Sequence, residues 1–341
     1  MLHAPGDLRV EDAPDEEPGP GQVRVRVAAG GICGSDLHYF RHGGFGTVRL
    51  REPMVPGHEI AGVVEALGPG VAAPAPGTLV AVDPGQPCEG CGFCRAGLAN
   101  QCEDMHFLGS AMRTPHVQGG FREALVCDAA RAVPVPLGVA ANEAAFAEPL
   151  AVCLHAAARA GPLLGARVLV TGAGPIGALL VAVARHAGAA EVVAADLLDA
   201  PLAAARRMGA DRIANLAREP GALASDEAGR GTFDVAFEAS GGAAAALLAL
   251  RAVRPRGVVV QVGQGGEVPL PLTPLVVKEV DLRGSFRFDA REFASAVALI
   301  GARRLDPTPL LTEVLPFREA RRAFEAAGDR ARGAMKVQLS F

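Results

Sequence analysis

The chain has 341 residues, half of them apolar and about a fifth charged, with a formal net charge of −4. That length exceeds one comfortable hydrophobic core and predicts two domains. The mild acidity, a single tyrosine (Tyr39) and the absence of tryptophan argue against nucleic acid or an anionic membrane as the partner.

The N-terminus carries neither a basic start nor an apolar stretch of signal length. The longest uncharged run, 168–184, is broken by Thr171, Gly172, Gly174, Pro175 and Gly177, a pattern a spanning helix tolerates poorly. Seven cysteines, four of them clustered, suit metal ligation in a reducing compartment, and a cytoplasmic location is expected.

The first third is rich in Gly and Pro, and QVRVRVAA (22–29) and EIAGVVEALG (59–68) read as strands joined by turns. Beside those strands GGICGSDLHY (30–39) and PGHE (56–59) place Cys33, Ser35, Asp36, His38, His58 and Glu59. A cysteine and a histidine on such turns can each give a ligand to a zinc that keeps an open position, although either alone is as readily a core residue. Cys88, Cys91, Cys94 and Cys102 follow with spacing C-x2-C-x2-C-x7-C. Four thiolates saturate a tetrahedral zinc, so this knot is read as structural and inert.

From about residue 150 apolar runs alternate with alanine-rich helical stretches. RVLVT (167–171), EVVAAD (191–196), DRIANL, FDVAFEAS (233–240) and GVVVQVG (257–263) are the strands of a doubly wound parallel sheet. GAGPIG matches G-x-G-x-x-G with Gly172, Gly174 and Gly177, after a strand and opening a helix, as a pyrophosphate cradle requires. Asp196 ends the next strand, 19 residues past Gly177, where a carboxylate accepts from both adenosine ribose hydroxyls. Leu197 and Leu198 offer no cation for a 2′-phosphate, so NAD is favoured, with NADP as the alternative. Two amphipathic helices, around 291–302 and 317–327, lead to a last strand, MKVQLSF. The use of arginine for all but two of the 33 basic residues is read as genomic base bias.

Taken together, GGICGSDLHY, PGHEIAGVVEALG, the cysteine lobe, AFAEPLAV (145–152) and GAGPIG resemble the zinc-dependent medium-chain dehydrogenases of the alcohol/polyol type. The resemblance spans the chain. It implies a GroES-like β-rich catalytic domain (1–148, with the structural-zinc lobe at 88–102), a Rossmann domain (149–284) and a return segment (285–341) completing the first domain. It also implies two zincs per chain. Cys33 and His58 would ligate the catalytic one, with Glu59 and Glu148 supplying carboxylates to the metal or its water; which of the two binds directly stays open. Ser35 would begin a proton relay to His38, with Asp36 orienting the loop. Tyr39 and Arg287 would contact substrate, and Pro175, Ile176 and Val262 would join the glycines and Asp196 around the cofactor. Cys127 and Cys153 are left as unligated core thiols.

Finer stretches, MHFLGSAMRTPHVQGGF (105–121), QVGQGG (261–266) and DLRGSFRF (281–288), resemble the branch that interconverts L-idonate and 5-keto-D-gluconate. A sugar-acid carboxylate calls for a cation, for which Arg287 is the first candidate and Arg41, Arg49 and Arg113 weaker ones. The alternatives are a sorbitol or xylitol dehydrogenase and an L-threonine 3-dehydrogenase. A zinc-free quinone reductase or a non-catalytic cofactor-binding protein belongs to a different class and would lack these ligands. A homodimer or homotetramer is expected from the resemblance.

Overall fold

The computed structural model describes residues 1–341, the whole chain, and divides into two compact units. One comprises Met1–Glu148, Asp289–Asp329 and Lys336–Phe341; the other comprises Pro149–Phe288 and Arg330–Met335.

In chain order the main elements of the first unit begin with β1 (Gln22–Gly31), α1 (Gly34–His42), β2 (Glu59–Leu67), β3 (Leu79–Val82), β4 (Ala124–Asp128) and β5 (Ala132–Pro134). Helix α2 (Ala147–Ala160) leads into β6 (Arg167–Thr171), α3 (Pro175–His186), β7 (Glu191–Asp196), α4 (Asp199–Arg207), β8 (Arg212–Asn215) and β9 (Phe233–Glu238). Then come α5 (Ala243–Ala252), β10 (Val253–Gln261), α6 (Leu272–Val277) and β11 (Asp281–Gly284). The chain ends with α7 (Ala290–Gly301), β12 (Leu311–Pro316), α8 (Ala320–Ala327) and β13 (Lys336–Ser340).

The first unit is built on a seven-stranded sheet ordered β5-β3-β2-β1-β13-β12, with β4 also pairing β1. Alternation explains its core. In QVRVRV the valines Val23, Val25 and Val27 point inward with Ile60, Val64, Val80 and Val82, while Arg24 faces out to Asp15 and Glu65. A second cluster, including Ile32, Phe40, Met54, Phe324 and Leu339, packs α1 and α8 against the same sheet's end.

The second unit is a six-stranded, all-parallel sheet ordered β8-β7-β6-β9-β10-β11. Its strands are continuous apolar runs because helices cover both faces, and Leu169, Val193, Phe233, Leu248 and Val259 share one core. Strand β10 begins four residues before the expected 257, through Pro255 and the left-handed Arg256 (φ 59°), with a register shift against β9. It ends at Gln261 because the N–H groups of Val262 and Gly263 turn back to the Glu238 carbonyl, 2.8 Å each. Lys278 is buried and donates to the carbonyls of Leu250 (2.8 Å) and Arg251 (3.0 Å), closing the end of α5.

Two short segments group differently from the expected 285–341 return. Ser285 N–H continues the pairing of β11 by donating to the Gln261 carbonyl at 2.9 Å, so 285–288 stay with the parallel sheet. Residues 330–335 also join that unit, where an added methyl at Gly333 would touch Ala200 of α4. No helix is long and apolar enough to cross a membrane.

Candidate metal centre and dinucleotide cradle

The end of β1 and the start of β2 lie side by side, with Gly31 paired to Glu59 in antiparallel register. Past Gly31 the chain turns so that Cys33 caps the N-terminus of α1. Asp36, fully buried, ties this turn to the one before β2: it accepts from Cys33 N–H at 3.0 Å and from Gly57 N–H at 3.2 Å. One of its oxygens lies 3.8 Å from His58 Nδ1. The expectation that Asp36 orients the loop therefore extends to the histidine ring.

These constraints bring the Cys33 sulfur, a His58 ring nitrogen and a Glu59 carboxylate oxygen within 4.8 Å of one another. Glu148, in the first turn of α2, is also buried but lies outside that close group. Its carboxyl is pushed up to about 8, first by burial and then by Glu59 and Asp36, against His58 and Lys336. His58 is held well above its ordinary value: burial works against its charged form, but Asp36, Cys33 and Glu148 outweigh it.

The donor set fits a divalent cation. The buried carboxyls of Asp36, Glu59 and Glu148 and the half-buried Cys33 thiol surround His58, whose Nδ1 has no hydrogen-bond partner. A thiol, an imidazole and a carboxylate are zinc ligands, and three protein ligands leave a fourth position open.

The sequence reading did not include Lys336. Its buried ammonium donates to both Glu59 oxygens, at 2.6 and 2.8 Å, and to the Ile32 carbonyl at 3.3 Å. A signal was present. In a chain that uses arginine almost everywhere, a lysine inside an apolar strand marks a compact buried charge.

Ser35 is half-buried in the first turn of α1, and exposed His38 lies one turn on. Burial lowers the His38 pKa, helped by the neighbouring His42 and the Arg41 cation, so its ring is neutral and able to take a proton. Tyr39 departs from expectation. Its ring is 2% exposed within the apolar cluster and its hydroxyl accepts from Ala111 N–H at 3.1 Å, so the residue packs and offers no surface to a substrate. Arg287 belongs to the second unit, in left-handed conformation (φ 56°), with its guanidinium 4.7 Å over the Phe286 ring.

Cys88, Cys91, Cys94 and Cys102 also gather within 4.8 Å of one another. Cys91 caps the short helix Gly92–Arg95, and Cys88 and Asp104 N–H groups donate to the Cys102 sulfur at 3.1 and 3.3 Å. Backbone donors from Cys94 and Glu103 lower the Cys91 thiol to about 6, readying a thiolate for metal. Cys127 and Cys153 are buried outside both groups. Replacing Cys91 with serine should remove one zinc per chain and lower the melting temperature while NADH formation survives. Metal analysis with a thermal melt and an activity assay checks this. A stable but inactive variant would mean that the two metal roles are exchanged.

In the second unit β6 delivers the glycine turn. Gly172 adopts φ 84°, and a side chain there would strike Ser240, while one at Gly177 would strike the Gly172 carbonyl. No side chain caps α3, which begins with Pro175 and Ile176, so first-turn N–H groups face any ligand at the turn. Asp196 is fixed by three backbone donors: Ala173 (2.7 Å) to one oxygen, Leu197 (2.7 Å) and Leu198 (3.1 Å) to the other. Beyond β9, β10 and β11 a cavity of about 560 Å³ is lined by Gly241, Gln261, Gly263 and Leu282 among others. It lies where ligands enter open parallel sheets, outside the carboxyl ends of the strands.

Residues 19–137 match the alcohol dehydrogenase GroES-like domain family, and residues 175–302 match the zinc-binding dehydrogenase family. The chain is 43% identical over 318 residues to L-idonate 5-dehydrogenase (NAD(P)(+)) of Escherichia coli, covering 93% of this chain and 91% of that protein. It is 37% identical over 329 residues to human sorbitol dehydrogenase, covering 95% and 91%. The crystal structure of the Escherichia coli L-idonate 5-dehydrogenase superposes with a TM-score of 0.90 at 42% identity, covering 94% of this chain and 91% of that one. With both halves of the chain matched in this way, the protein belongs to the zinc-binding dehydrogenases, oxidoreductases whose catalytic domain is GroES-like.

Proposed function

We propose that this enzyme oxidises a secondary alcohol of a sugar acid, L-idonate to 5-keto-D-gluconate, passing the hydride to the nicotinamide of NAD. The observation that carries the reading is the likeness to L-idonate 5-dehydrogenase over nearly the whole chain, with a complete ligand group beneath it. Cys33, His58 and Glu59 hold the catalytic zinc, which supplies Lewis acidity toward the substrate oxygen when bound. Glu148 stands buried beside that group as a further carboxyl, which a bound cation would help to ionise. Ser35 accepts the substrate's hydroxyl proton as it gives up its own, and the relay runs through the cofactor's ribose hydroxyl to neutral His38, which hands a proton to water. The N–H groups after Gly172, Gly174 and Gly177, with Pro175 and Ile176, take the pyrophosphate. Asp196 accepts from the ribose hydroxyls, and Val262 borders the nicotinamide half. NADP is the alternative to NAD. Arg287 carries the charge for the sugar-acid carboxylate.

A second copy of the chain is part of this reading. Strand β11 is an edge of its sheet with Leu282 half exposed, and Leu272, Val276 and Val277 of nearby α6 are exposed too, surface that a homodimer or homotetramer would cover. Free, metal-ready thiols suit a reducing cytoplasm.

The test is NADH formation with L-idonate, sorbitol, xylitol and L-threonine, each with and without a zinc chelator. Rapid, chelator-sensitive turnover of L-idonate alone is expected. Preference for sorbitol or xylitol would keep the metal and cofactor roles and remove the carboxylate role of Arg287. That outcome has its own footing in the likeness to sorbitol dehydrogenase. Turnover insensitive to chelation would overturn the zinc mechanism.

A further inference from the structure

The segment 330–335 is far in sequence from the glycine turn, yet it packs with the dinucleotide unit. Its first residue, Arg330, is exposed, and its guanidinium lies against Gly174, in the space that any side chain at that position would occupy. Gly174 is the second glycine of the motif, the one whose bare backbone admits a pyrophosphate. No carboxylate pairs with Arg330, whereas Arg321 and Arg322 of α8 are each bound to acids.

We infer that Arg330 is a cofactor-binding residue that closes on the dinucleotide pyrophosphate from the chain's C-terminal segment. The inference rests on the dinucleotide reading of the glycine turn and adds to it a cation that the motif lacks. A helix N-terminus offers only about half a positive charge, whereas the pyrophosphate is doubly anionic. A guanidinium beside the N-terminus of α3 supplies a full charge and a two-pronged donor matched to phosphate oxygens. Being long and solvent-exposed, the side chain can swing from the space over Gly174 to the flank of the ligand without moving the backbone. The segment is held in place independently of the side chain: its backbone lies against α4, and the Gly333 N–H closes its turn by donating to the Arg330 carbonyl at 3.1 Å. Loss of the guanidinium therefore leaves the fold intact.

The experiment is a fluorescence titration of NADH and NADPH into the zinc-loaded wild type, Arg330→Ala, Arg330→Lys and Arg291→Ala, with a thermal melt of each. Arg291 is a control, a highly exposed guanidinium already paired with Asp289. Arg330→Ala is expected to weaken NADH and NADPH alike by about tenfold or more, with a flatter dependence on salt. Arg330→Lys should recover part of the loss, and Arg291→Ala should change nothing. Unchanged NADH affinity in Arg330→Ala overturns the assignment, and so does tighter binding, which would make the guanidinium an obstruction. A loss confined to NADPH also overturns it, placing the cation on the 2′-phosphate. Failure of the wild type to bind either nucleotide refutes the dinucleotide reading itself, a result distinct from all of these.

Discussion

Replacing Lys336 with methionine is expected to destabilise the zinc-free catalytic unit by about 3–5 kcal/mol and the zinc-loaded one by much less. Methionine nearly matches the lysine stem, so the cavity left behind is small and the lost charge dominates. In the native pair both groups are almost completely buried, and the ammonium satisfies both Glu59 oxygens at once. Without it the Glu59 carboxylate stays in a dry site already holding Glu148 and Asp36, with only His58 as counter-charge. A zinc held by Cys33, His58 and Glu59 would supply the missing positive charge, which is why the cost should depend on metal.

The chain carries its own probe. With no tryptophan and one tyrosine, ultraviolet emission reports on Tyr39, which α1 turns into the core of this unit. Unfolding of chelated and zinc-loaded protein, followed by that emission, isolates the catalytic unit. Adding Glu59→Gln to Lys336→Met in the chelated protein should restore most of the loss, because removing both partners leaves no stranded charge. A small, equal loss with and without zinc would show that Lys336 acts only as a packing group.

What could be read from the sequence is what is encoded locally. The cysteine lobe, the glycine turn with Asp196, and Cys33 and His58 each lie within a few residues of a strand end, so spacing alone implies where they point. The parallel sheet was legible because its strands are uninterrupted apolar runs. Pairings across the chain were not. Lys336 reaches Glu59 over 277 residues of separation, and Arg330 reaches Gly174 over nearly half the chain. The scarcity of lysine, set aside as base bias, marked two buried charges: Lys336 on Glu59 and Lys278 on the carbonyls ending α5. Tyr39 was misplaced for another reason. An aromatic residue near a cleft motif serves packing or recognition equally well by type, and only its neighbour Ala111, brought in from a distant loop, decides the matter.

Gly31→Ala is expected to remove the catalytic zinc and lower turnover by about a hundredfold or more, the scale on which ångström displacements act in active sites. Gly31 lies in β1 with no left-handed backbone angle, so alanine meets no conformational penalty there. The obstacle is the Glu59 side chain. A methyl at position 31 would overlap Oε2 and crowd the carboxyl carbon at 3.0 Å and Cβ at 3.1 Å. Glu59 has no room to yield, since Lys336 grips both oxygens and the β1–β2 register fixes its backbone opposite Gly31. Either the carboxylate leaves the ligand group or the two strands part beneath it. Gly34→Ala is the matched control, because an added methyl there meets nothing within 4 Å. Zinc analysis should fall from two ions per chain to one in Gly31→Ala, the remaining ion being that of the cysteine lobe, and stay at two in Gly34→Ala. Cobalt substitution gives a second readout: absorption from the Cys33 site should vanish while that of the four-thiolate site persists. Two tightly held ions and ordinary turnover in Gly31→Ala would remove Glu59 from the ligand group and leave Glu148 as the carboxylate of the metal centre.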